Sequence, residues 1–186
     1  MNVKRELPIR EKNIVLVGFM GVGKTTIGQM VAKRLYRDFI DIDVEIESRY
    51  GMPITDIFKH YGETKFRQIE RDLIVCTCAE SRMKIVSLGG GAYMQEDIRN
   101  ACQEHCIVFY LDLSWDSWKE RLPLIIDSRP VLQSKTIDEI EQLFNERKDV
   151  YALTNSKFST HDSDPDTVAD SIVESVKLAW EMYQPQ

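Results

Sequence analysis

Residues 18–25 read Gly18-Phe19-Met20-Gly21-Val22-Gly23-Lys24-Thr25, a glycine, four further residues and then Gly-Lys-Thr. This spacing is typical of a loop that binds phosphate groups. An apolar run precedes it at residues 14–17, and apolar residues follow it at helical spacing, at Ile27, Val31 and Leu35. The loop therefore joins a strand to a helix, which is the context that a phosphate-binding loop requires. The alternative is a glycine turn without a ligand, and we expect a nucleoside-triphosphate site.

The residue types in this loop suit a nucleotide and its metal. Glycine permits the backbone angles that turn N–H groups inward around phosphate oxygens, and the start of a helix adds partial positive charge. Lys24 can reach the β- and γ-phosphates, and the hydroxyl of Thr25 can bind Mg²⁺.

Composition narrows the class of protein. The chain has 186 residues, a formal net charge of −6, 43% hydrophobic residues and 29% charged residues. These values predict one soluble domain and argue against nucleic acid as a partner, since nucleic-acid binders carry a basic face. No apolar run reaches the roughly 18 residues that span a bilayer. Residues 1–12 lack the apolar core of a secretory signal, so we expect a cytoplasmic monomer with a short N-terminal extension.

The four cysteines, Cys76, Cys78, Cys102 and Cys106, allow two interpretations. They could form a metal site from two closely spaced pairs, or they could be reduced thiols on two helices. Neither pair has the two-residue spacing of common zinc sites, which favours reduced thiols. The spacing of Cys102 and Cys106 predicts that they lie one turn apart on a helix.

The pattern along the chain alternates strands and helices. Alternation of this kind predicts a three-layer α/β/α sandwich around a five-stranded parallel sheet, with right-handed crossovers. The predicted strands are Asn13–Val17, Asp38–Asp41, 85–88, 107–111 and 157–160.

Helical spacing is clearest at residues 65–79 and after Asp164-Pro165-Asp166, where an N-cap residue is followed by proline in the first turn. Two stretches fit the sheet poorly, namely residues 43–66, which are polar and helical-looking, and residues 122–135, which contain Pro123, Arg129 and Pro130. Both could be flaps over the site. Residues 1–186 are then a single domain. Its core comprises residues 13–42, 71–121 and 136–180. Residues 43–70 form the substrate-binding region, residues 122–135 the lid and residues 1–12 the N-terminal extension.

Two carboxylates follow the second predicted strand. Alternation along a strand would put Asp41 and Asp43 on one face at its carboxyl end, where ligands bind in open parallel sheets. One could hold Mg²⁺ through water and the other could accept a hydrogen bond from a substrate hydroxyl. The alternatives are a solvated acidic loop for the pair, and Asp112 as a rival metal ligand at another strand end.

Basic side chains and glycines supply candidate anion contacts. Arg67 could bind a carboxylate in a two-pronged fashion with Glu70 orienting it, or the two could form an ordinary surface pair. The glycines at residues 89–91 could let a substrate approach the backbone or could form a flexible turn. Arg129 in the proline-bounded flap could close on the transferred phosphate, and Arg147 could be a second carboxylate anchor. The alternatives for these two are a loop charge and a solvated helix face.

The ordered set of motifs resembles the shikimate kinase family from about residue 13 to residue 176. The set comprises the phosphate-binding loop, Asp-x-Asp, Gly-Glu-x-x-Phe-Arg-x-x-Glu, Gly-Gly-Gly, Arg-Pro and Glu-Arg-x-x-x-Tyr. The resemblance implies a P-loop enzyme that transfers the γ-phosphoryl group of MgATP to the 3-hydroxyl of shikimate. That step belongs to aromatic amino-acid biosynthesis by way of chorismate.

The resemblance also implies a role for each matching residue. Catalytic roles fall to Lys24, Asp43 and Arg129. Metal contacts fall to Thr25 and, through water, Asp41. The nucleotide contacts implied are Gly21, Val22, Gly23, Lys24, Thr25, Thr26, Arg121 and Arg129, with Arg121 beside the adenine. The shikimate contacts implied are Asp43, Phe58, Arg67, Gly89, Gly90, Gly91 and Arg147, with Glu70 orienting Arg67.

The loop at residues 160–165 departs from the family pattern. It is acidic where many members carry a basic residue against the adenine. Two further functions remain as alternatives, a gluconate or nucleoside-monophosphate kinase of the same fold group and a non-catalytic nucleotide-binding regulator. The two arginines with the triple glycine argue against the first, and the intact Asp41, Asp43 and Arg129 argue against the second.

Overall fold

A parallel β-sheet forms the centre of the molecule. The computed structural model describes residues 7–183, without the side chains of Ser128 and Pro130. Half of the predicted extension at residues 1–12 therefore lies outside the described residues. The strands are β1 (Asn13–Val17), β2 (Asp38–Asp41), β3 (Lys84–Ser87), β4 (Cys106–Asp112) and β5 (Ser156–Ser159).

The strand order is β2-β3-β1-β4-β5, and every neighbouring pair is parallel. All residues of β1 are buried, which requires cover on both faces of the sheet. The predicted five-stranded parallel sheet is therefore confirmed. The predicted bounds of β3, β4 and β5 differ from the observed ones by one residue at each end.

Helices cover both faces of this sheet. They are α1 (Lys24–Leu35), α2 (Ile42–Tyr50), α3 (Ile54–Glu80), α4 (Glu96–His105), α5 (Trp115–Lys119), α6 (Leu122–Ile125), α7 (Pro130–Gln133), α8 (Ile137–Tyr151) and α9 (Pro165–Met182). Helix α1 packs against α9, and α3 packs against α4. Within the described residues, no helix is both long enough and apolar enough to cross a membrane.

Two helices show why their sequences fold as they do. Helix α9 begins as predicted, because the side chain of Asp164 accepts a hydrogen bond from the backbone of Thr167, 3.0 Å away, and Pro165 occupies the first turn. Helix α3 is longer than the predicted residues 65–79 and is kinked at Gly62, whose φ of 78° and ψ of 166° are not helical. The kink separates the part that carries Phe58 from the part that carries Arg67.

The cysteines are free thiols, as predicted, but their placement differs in one respect. Cys106 is the first residue of β4 and not part of a helix, since α4 ends at His105 with no connecting residue. Cys78 and Cys102 are buried with their sulfur atoms 3.7 Å apart, whereas Cys76 is exposed. Between residues 7 and 183, no cluster of metal-binding side chains is present.

Candidate active site

The phosphate-binding loop lies at the carboxyl end of β1, the central strand. Its turn depends on glycines, with φ of 149° at Gly18, 80° at Gly21 and 103° at Gly23. These positive values lie in the region that side chains with a Cβ atom rarely adopt. Helix α1 then begins at Lys24, so the loop and the N-terminus of α1 present backbone N–H groups to the same space.

Lys24 is buried inside the loop that it is expected to serve. Its ammonium group donates to the carbonyls of Gly18 and Phe19, at 2.8 and 2.9 Å. Burial, assisted by the guanidinium of Arg129, lowers the pKa of Lys24 to about 7, although Asp43 and Asp41 oppose the shift.

Asp41 joins the second strand to the nucleotide loop. One of its carboxylate oxygens accepts hydrogen bonds from the backbone of Asp43 and Val44, which caps helix α2, and the other accepts from the hydroxyl of Thr25 at 2.6 Å. A hydroxyl and a carboxylate in contact are oxygen ligands of the kind that Mg²⁺ prefers. Thr25 and Asp41 therefore fit the metal that accompanies a nucleotide.

Asp43 is not on the strand, which corrects the predicted alternation. Helix α2 begins at Ile42 directly after β2, so Asp43 lies in the first helical turn. The two carboxylates nevertheless line the same cavity. Asp43 forms an ion pair with Arg129 at 3.1 Å. Burial raises the pKa of the Asp43 carboxyl, and Arg129 opposes that rise.

Asp112, the rival metal ligand, has other partners. It accepts a hydrogen bond from the hydroxyl of Tyr110 at 2.8 Å and pairs with Lys157 on β5 at 3.2 Å. These contacts favour Asp41 as the metal ligand.

Two adjoining cavities meet at Asp43. The larger, of about 620 Å³, runs over the phosphate-binding loop, and the smaller, of about 50 Å³, lies between α3 and α8. The larger cavity includes Lys24, Thr25, Asp41, Gly89 and Arg129 in its lining. The smaller includes Phe58, Arg67, Gly91 and Arg147. A group held in the small cavity would therefore face the end of a phosphate chain held in the large one.

Arg67 forms a largely buried pair with Glu70, not a surface pair. The two side chains are 2.8 Å apart and are 22% and 1% exposed. Burial lowers the pKa of Arg67, but Glu70 and Glu63 more than offset this, so its pKa is raised and its charge is secure. Glu70 also accepts a hydrogen bond at 3.0 Å from Gln95, which sequence reasoning missed.

The triple glycine is needed because charged side chains pack directly against it. A Cβ atom at Gly89 would lie 2.9 Å from carboxylate oxygens of both Asp43 and Glu70, and one at Gly91 would lie 2.8 Å from the guanidinium of Arg67. A Cβ atom at Gly90 would lie 2.9 Å from the backbone nitrogen of Met20 in the phosphate-binding loop. The chain's own residues therefore approach these glycines closely, and the glycines also line the smaller cavity.

Arg147 reaches the same cavity from helix α8. Its guanidinium donates to the carbonyl of Gly90 at 3.0 Å and lies over the ring of Phe19, 5.6 Å from its centroid. It is thus not on a solvated helix face. Phe58 packs against Phe66 with ring centroids 4.6 Å apart and forms a wall of the cavity.

The outer side of the phosphate-binding loop is held from the segment after β4. Arg121 donates to the carbonyl of Gly21 at 3.1 Å. The indole of Trp118, fully buried, donates to the carbonyl of Met20 at 2.6 Å. Trp118 was not predicted, since nothing in its local sequence signals a contact nearly a hundred residues away.

The acidic loop after β5 carries a polar cluster. His161 contacts the hydroxyl of Ser117 through Nδ1 at 2.6 Å and Asp162 through Nε2 at 2.9 Å. The imidazole therefore occupies the loop in which the resemblance leads us to expect a basic residue.

Fold and site together define a P-loop kinase that acts on a small molecule. The chain belongs to the shikimate kinase family, because the family model described as shikimate kinase matches residues 20–177.

Known relatives agree with this assignment. The chain is 58% identical to the shikimate kinase of Bacillus subtilis (strain 168) over 185 residues, covering 100% of both chains. It is 59% identical to that of Geobacillus thermodenitrificans (strain NG80-2) over 186 residues, covering 100% of this chain and 99% of the relative.

Solved structures agree as well. The structure of shikimate kinase from Acinetobacter baumannii in complex with shikimate aligns with a TM-score of 0.83 at 30% identity, covering 90% of this chain and 94% of that chain. A gluconokinase from Sinorhizobium meliloti aligns with a TM-score of 0.57 at 13% identity, covering 96% and 97%, and therefore shares the fold alone.

Proposed function

We propose that the chain transfers the γ-phosphoryl group of MgATP to the 3-hydroxyl of shikimate, giving shikimate 3-phosphate and ADP. The reaction belongs to aromatic amino-acid biosynthesis by way of chorismate. One observation carries the proposal: a small cavity flanked by Arg67 and Arg147 opens at Asp43 onto the cavity of the phosphate-binding loop. Two guanidinium groups suit a carboxylate.

Nucleotide binding falls to the loop and its neighbours. Lys24 contacts the β- and γ-phosphates, helped by backbone N–H groups of residues 21–23 and by Thr26, and Arg121 lies beside the adenine. Thr25 binds Mg²⁺ and Asp41 holds it through water. When bound, the metal neutralises charge on the phosphate oxygens.

The transfer itself depends on position and charge. Arg67 and Arg147 hold the carboxylate against residues 89–91 and the wall at Phe58. This places the hydroxyl near Asp43, whose raised pKa makes it a better proton acceptor than an ordinary aspartate. Arg129 leaves Asp43 and contacts the transferred phosphoryl group, so it links the lid to the reaction.

The parts of the chain divide the work in the same way. Residues 43–70 form the substrate-binding region and residues 122–135 the lid, whereas the core comprises residues 13–42, 71–121 and 136–180. Free thiols at every cysteine suit a reducing compartment, which supports a cytoplasmic location. We also propose a monomer, since the described residues of one chain supply every contact proposed above and none of those contacts needs a second chain.

The first test is ADP release from MgATP with purified protein, with and without shikimate, and with gluconate as the control acceptor. We expect release that depends on shikimate and not on gluconate. ADP release that ignores shikimate would contradict the proposed acceptor.

Arg67 offers a second test with a matched control on the same helix. We expect Arg67→Ala to raise the shikimate KM by about a hundredfold, since a buried charge-assisted contact is lost, and to leave the ATP KM unchanged. Arg71→Ala removes a half-buried arginine that pairs with Asp72 and Asp97 and lines neither cavity, so it should change neither constant. Unchanged shikimate kinetics in Arg67→Ala would remove Arg67 from the site.

A further inference from the structure

One carbonyl oxygen in the triple glycine receives two donors from helix α8. The guanidinium of Arg147 donates to the carbonyl of Gly90 at 3.0 Å, and the hydroxyl of Tyr151 donates to the same oxygen. The two donors lie one helical turn apart, and Tyr151 is only 1% exposed. A carbonyl oxygen has two lone pairs, so these two hydrogen bonds use its full capacity.

Tyr151 is held in place by residues of the sheet. Its ring stacks on Tyr110 of β4, with centroids 5.4 Å apart and an interplanar angle of 29°. The hydroxyl of Tyr110 is fixed by Asp112, which is paired in turn with Lys157. Asp112 therefore connects Tyr110 to Lys157. Burial raises the pKa of Tyr151, so its hydroxyl stays protonated as a donor at neutral pH.

We propose that Tyr151 is a positioning residue for the substrate carboxylate: its hydroxyl fixes the Gly90 carbonyl and thereby orients the guanidinium of Arg147. Because Tyr151 uses one lone pair of the Gly90 carbonyl oxygen, Arg147 can donate only to the other lone pair, which fixes the direction of its hydrogen bond. The guanidinium of Arg147 lines the smaller cavity. Without the hydroxyl, Gly90 accepts from Arg147 alone, and both the loop and the guanidinium gain freedom to turn.

Gly90 gives this contact a second consequence. A Cβ atom at Gly90 would lie 2.9 Å from the backbone nitrogen of Met20, so the glycine loop rests directly on the phosphate-binding loop. The hydroxyl of Tyr151 therefore fixes a carbonyl in the layer between the two cavities. The inference rests on the proposed function, since it assigns the carboxylate of that substrate to Arg147.

The test compares Tyr151→Phe with Tyr93→Phe. Tyr93 is also fully buried and donates its hydroxyl to a backbone carbonyl, that of Leu153 at 2.7 Å, and neither residue lines the two cavities. Each variant loses one hydroxyl and one hydrogen bond. We expect Tyr151→Phe to raise the shikimate KM by about five- to tenfold, with kcat and the ATP KM unchanged. Tyr93→Phe should change none of the three.

A second readout separates positioning from a general loss of structure. Shikimate and its methyl ester differ in carboxylate charge, so the ratio of their kcat/KM values reports how well the arginines engage that charge. In Tyr151→Phe the kcat/KM for shikimate divided by that for the methyl ester should fall by the same factor by which the shikimate KM rises. An unchanged shikimate KM, an equal loss for both acceptors, or an equal loss in Tyr93→Phe would overturn the proposal.

Two further outcomes remain distinguishable. A wild-type protein without shikimate-dependent ADP release defeats the proposed function, whereas an active wild type with an unaffected Tyr151→Phe variant defeats only the positioning role. Should Tyr151→Phe not give folded protein, Tyr110→Phe replaces it. That variant frees the stacked ring from Asp112 and should raise the shikimate KM by about two- to threefold, and no rise would overturn the proposal.

Discussion

Lys24 is the residue where burial and function oppose each other most directly. Its amine must be charged to attract phosphate, yet its burial among loop carbonyls lowers its pKa to about 7. Above that pH an increasing share of the free protein carries a neutral lysine. Bound phosphate favours the charged form and raises the pKa again, so nucleotide binding takes up a proton above pH 7.

This linkage has a calorimetric signature. At pH 8 we expect ADP binding to take up a proton, measured as a heat that depends on the ionisation enthalpy of the buffer, and affinity should weaken as pH rises. Lys24→Arg keeps its charge at this pH and should bind without that uptake. Binding heats independent of buffer in the wild type would contradict the lowered pKa.

At Gly91, a neighbouring side chain leaves no room for a Cβ atom, whereas the backbone angles would allow one. Its φ of −105° suits any residue, but a Cβ atom would lie 2.8 Å from the guanidinium of Arg67. We expect Gly91→Ala to displace Arg67, raising the shikimate KM by about tenfold at little cost in stability. Steady-state kinetics with each substrate varied checks this, and a matching rise in the ATP KM would count against it.

At the scale of elements, the kink in α3 at Gly62 lies between Phe58 and Arg67, which both line the smaller cavity. Gly62 has a φ of 78° and a ψ of 166°, and no atom lies within 4 Å of where its Cβ would be. A substitution there is therefore strained by the backbone alone, which costs about 1–3 kcal/mol.

We expect Gly62→Ala to lower the free energy of unfolding by that amount and to weaken shikimate binding, because the first part of α3 carries Phe58. Urea unfolding and shikimate titration measure the two effects. Gly51→Ala is the matched control, since Gly51 also has a positive φ, 65°, with open space around it, but ends α2 outside the cavities. An equal loss of shikimate affinity in both variants would show that the kink at Gly62 has no specific effect on the smaller cavity.

Strands and helices were predictable where a run of apolar residues is buried, and less so where one element begins directly after another. Strands β1, β3 and β4 are buried apolar runs, and their positions were predicted to within one residue. The helical placement of Asp43 and the strand placement of Cys106 were missed for one reason. In both places one element begins directly after another, so no glycine, proline or polar turn marks the boundary.

The site was predictable only as far as its motifs extend. Lys24, Asp41, Arg67 and residues 89–91 lie in recognisable patterns. Gln95, Trp118 and the hydroxyl of Tyr151 act through tertiary contacts with backbone or carboxylate oxygens far away in sequence, and no local pattern encodes such a partner. The meaning of the triple glycine also required coordinates, because the atoms that exclude a Cβ come from α2, α3 and the phosphate-binding loop.

For the whole molecule, the thiols report global unfolding. Cys78, Cys102 and Cys106 are buried where α3, α4 and β4 meet, and hydrogen bonds among these thiols, together with burial, raise the pKa of Cys78 and Cys106. Since the thiolate is the reactive form, these thiols should react only when the core opens.

We expect a chromogenic disulfide reagent to modify about one thiol per native chain, at Cys76, and all four after denaturation. Cys76→Ser should abolish the native reaction and leave the denatured count lower by one. Rapid modification of a second thiol in the native protein would contradict the buried cluster.

The guanidinium and ammonium groups that converge between α3, α8 and the phosphate-binding loop belong to a chain whose formal net charge is −6. Both proposed substrates are anions, so the protein as a whole repels them while its cavity attracts them. Dissolved salt confines each field to about 8 Å at physiological ionic strength. A diffusing anion therefore meets little long-range repulsion and is captured near the mouth of the cleft. In dilute buffer both the repulsion by the whole chain and the attraction by the cavity reach further, so the rate of encounter depends on the salt concentration through both.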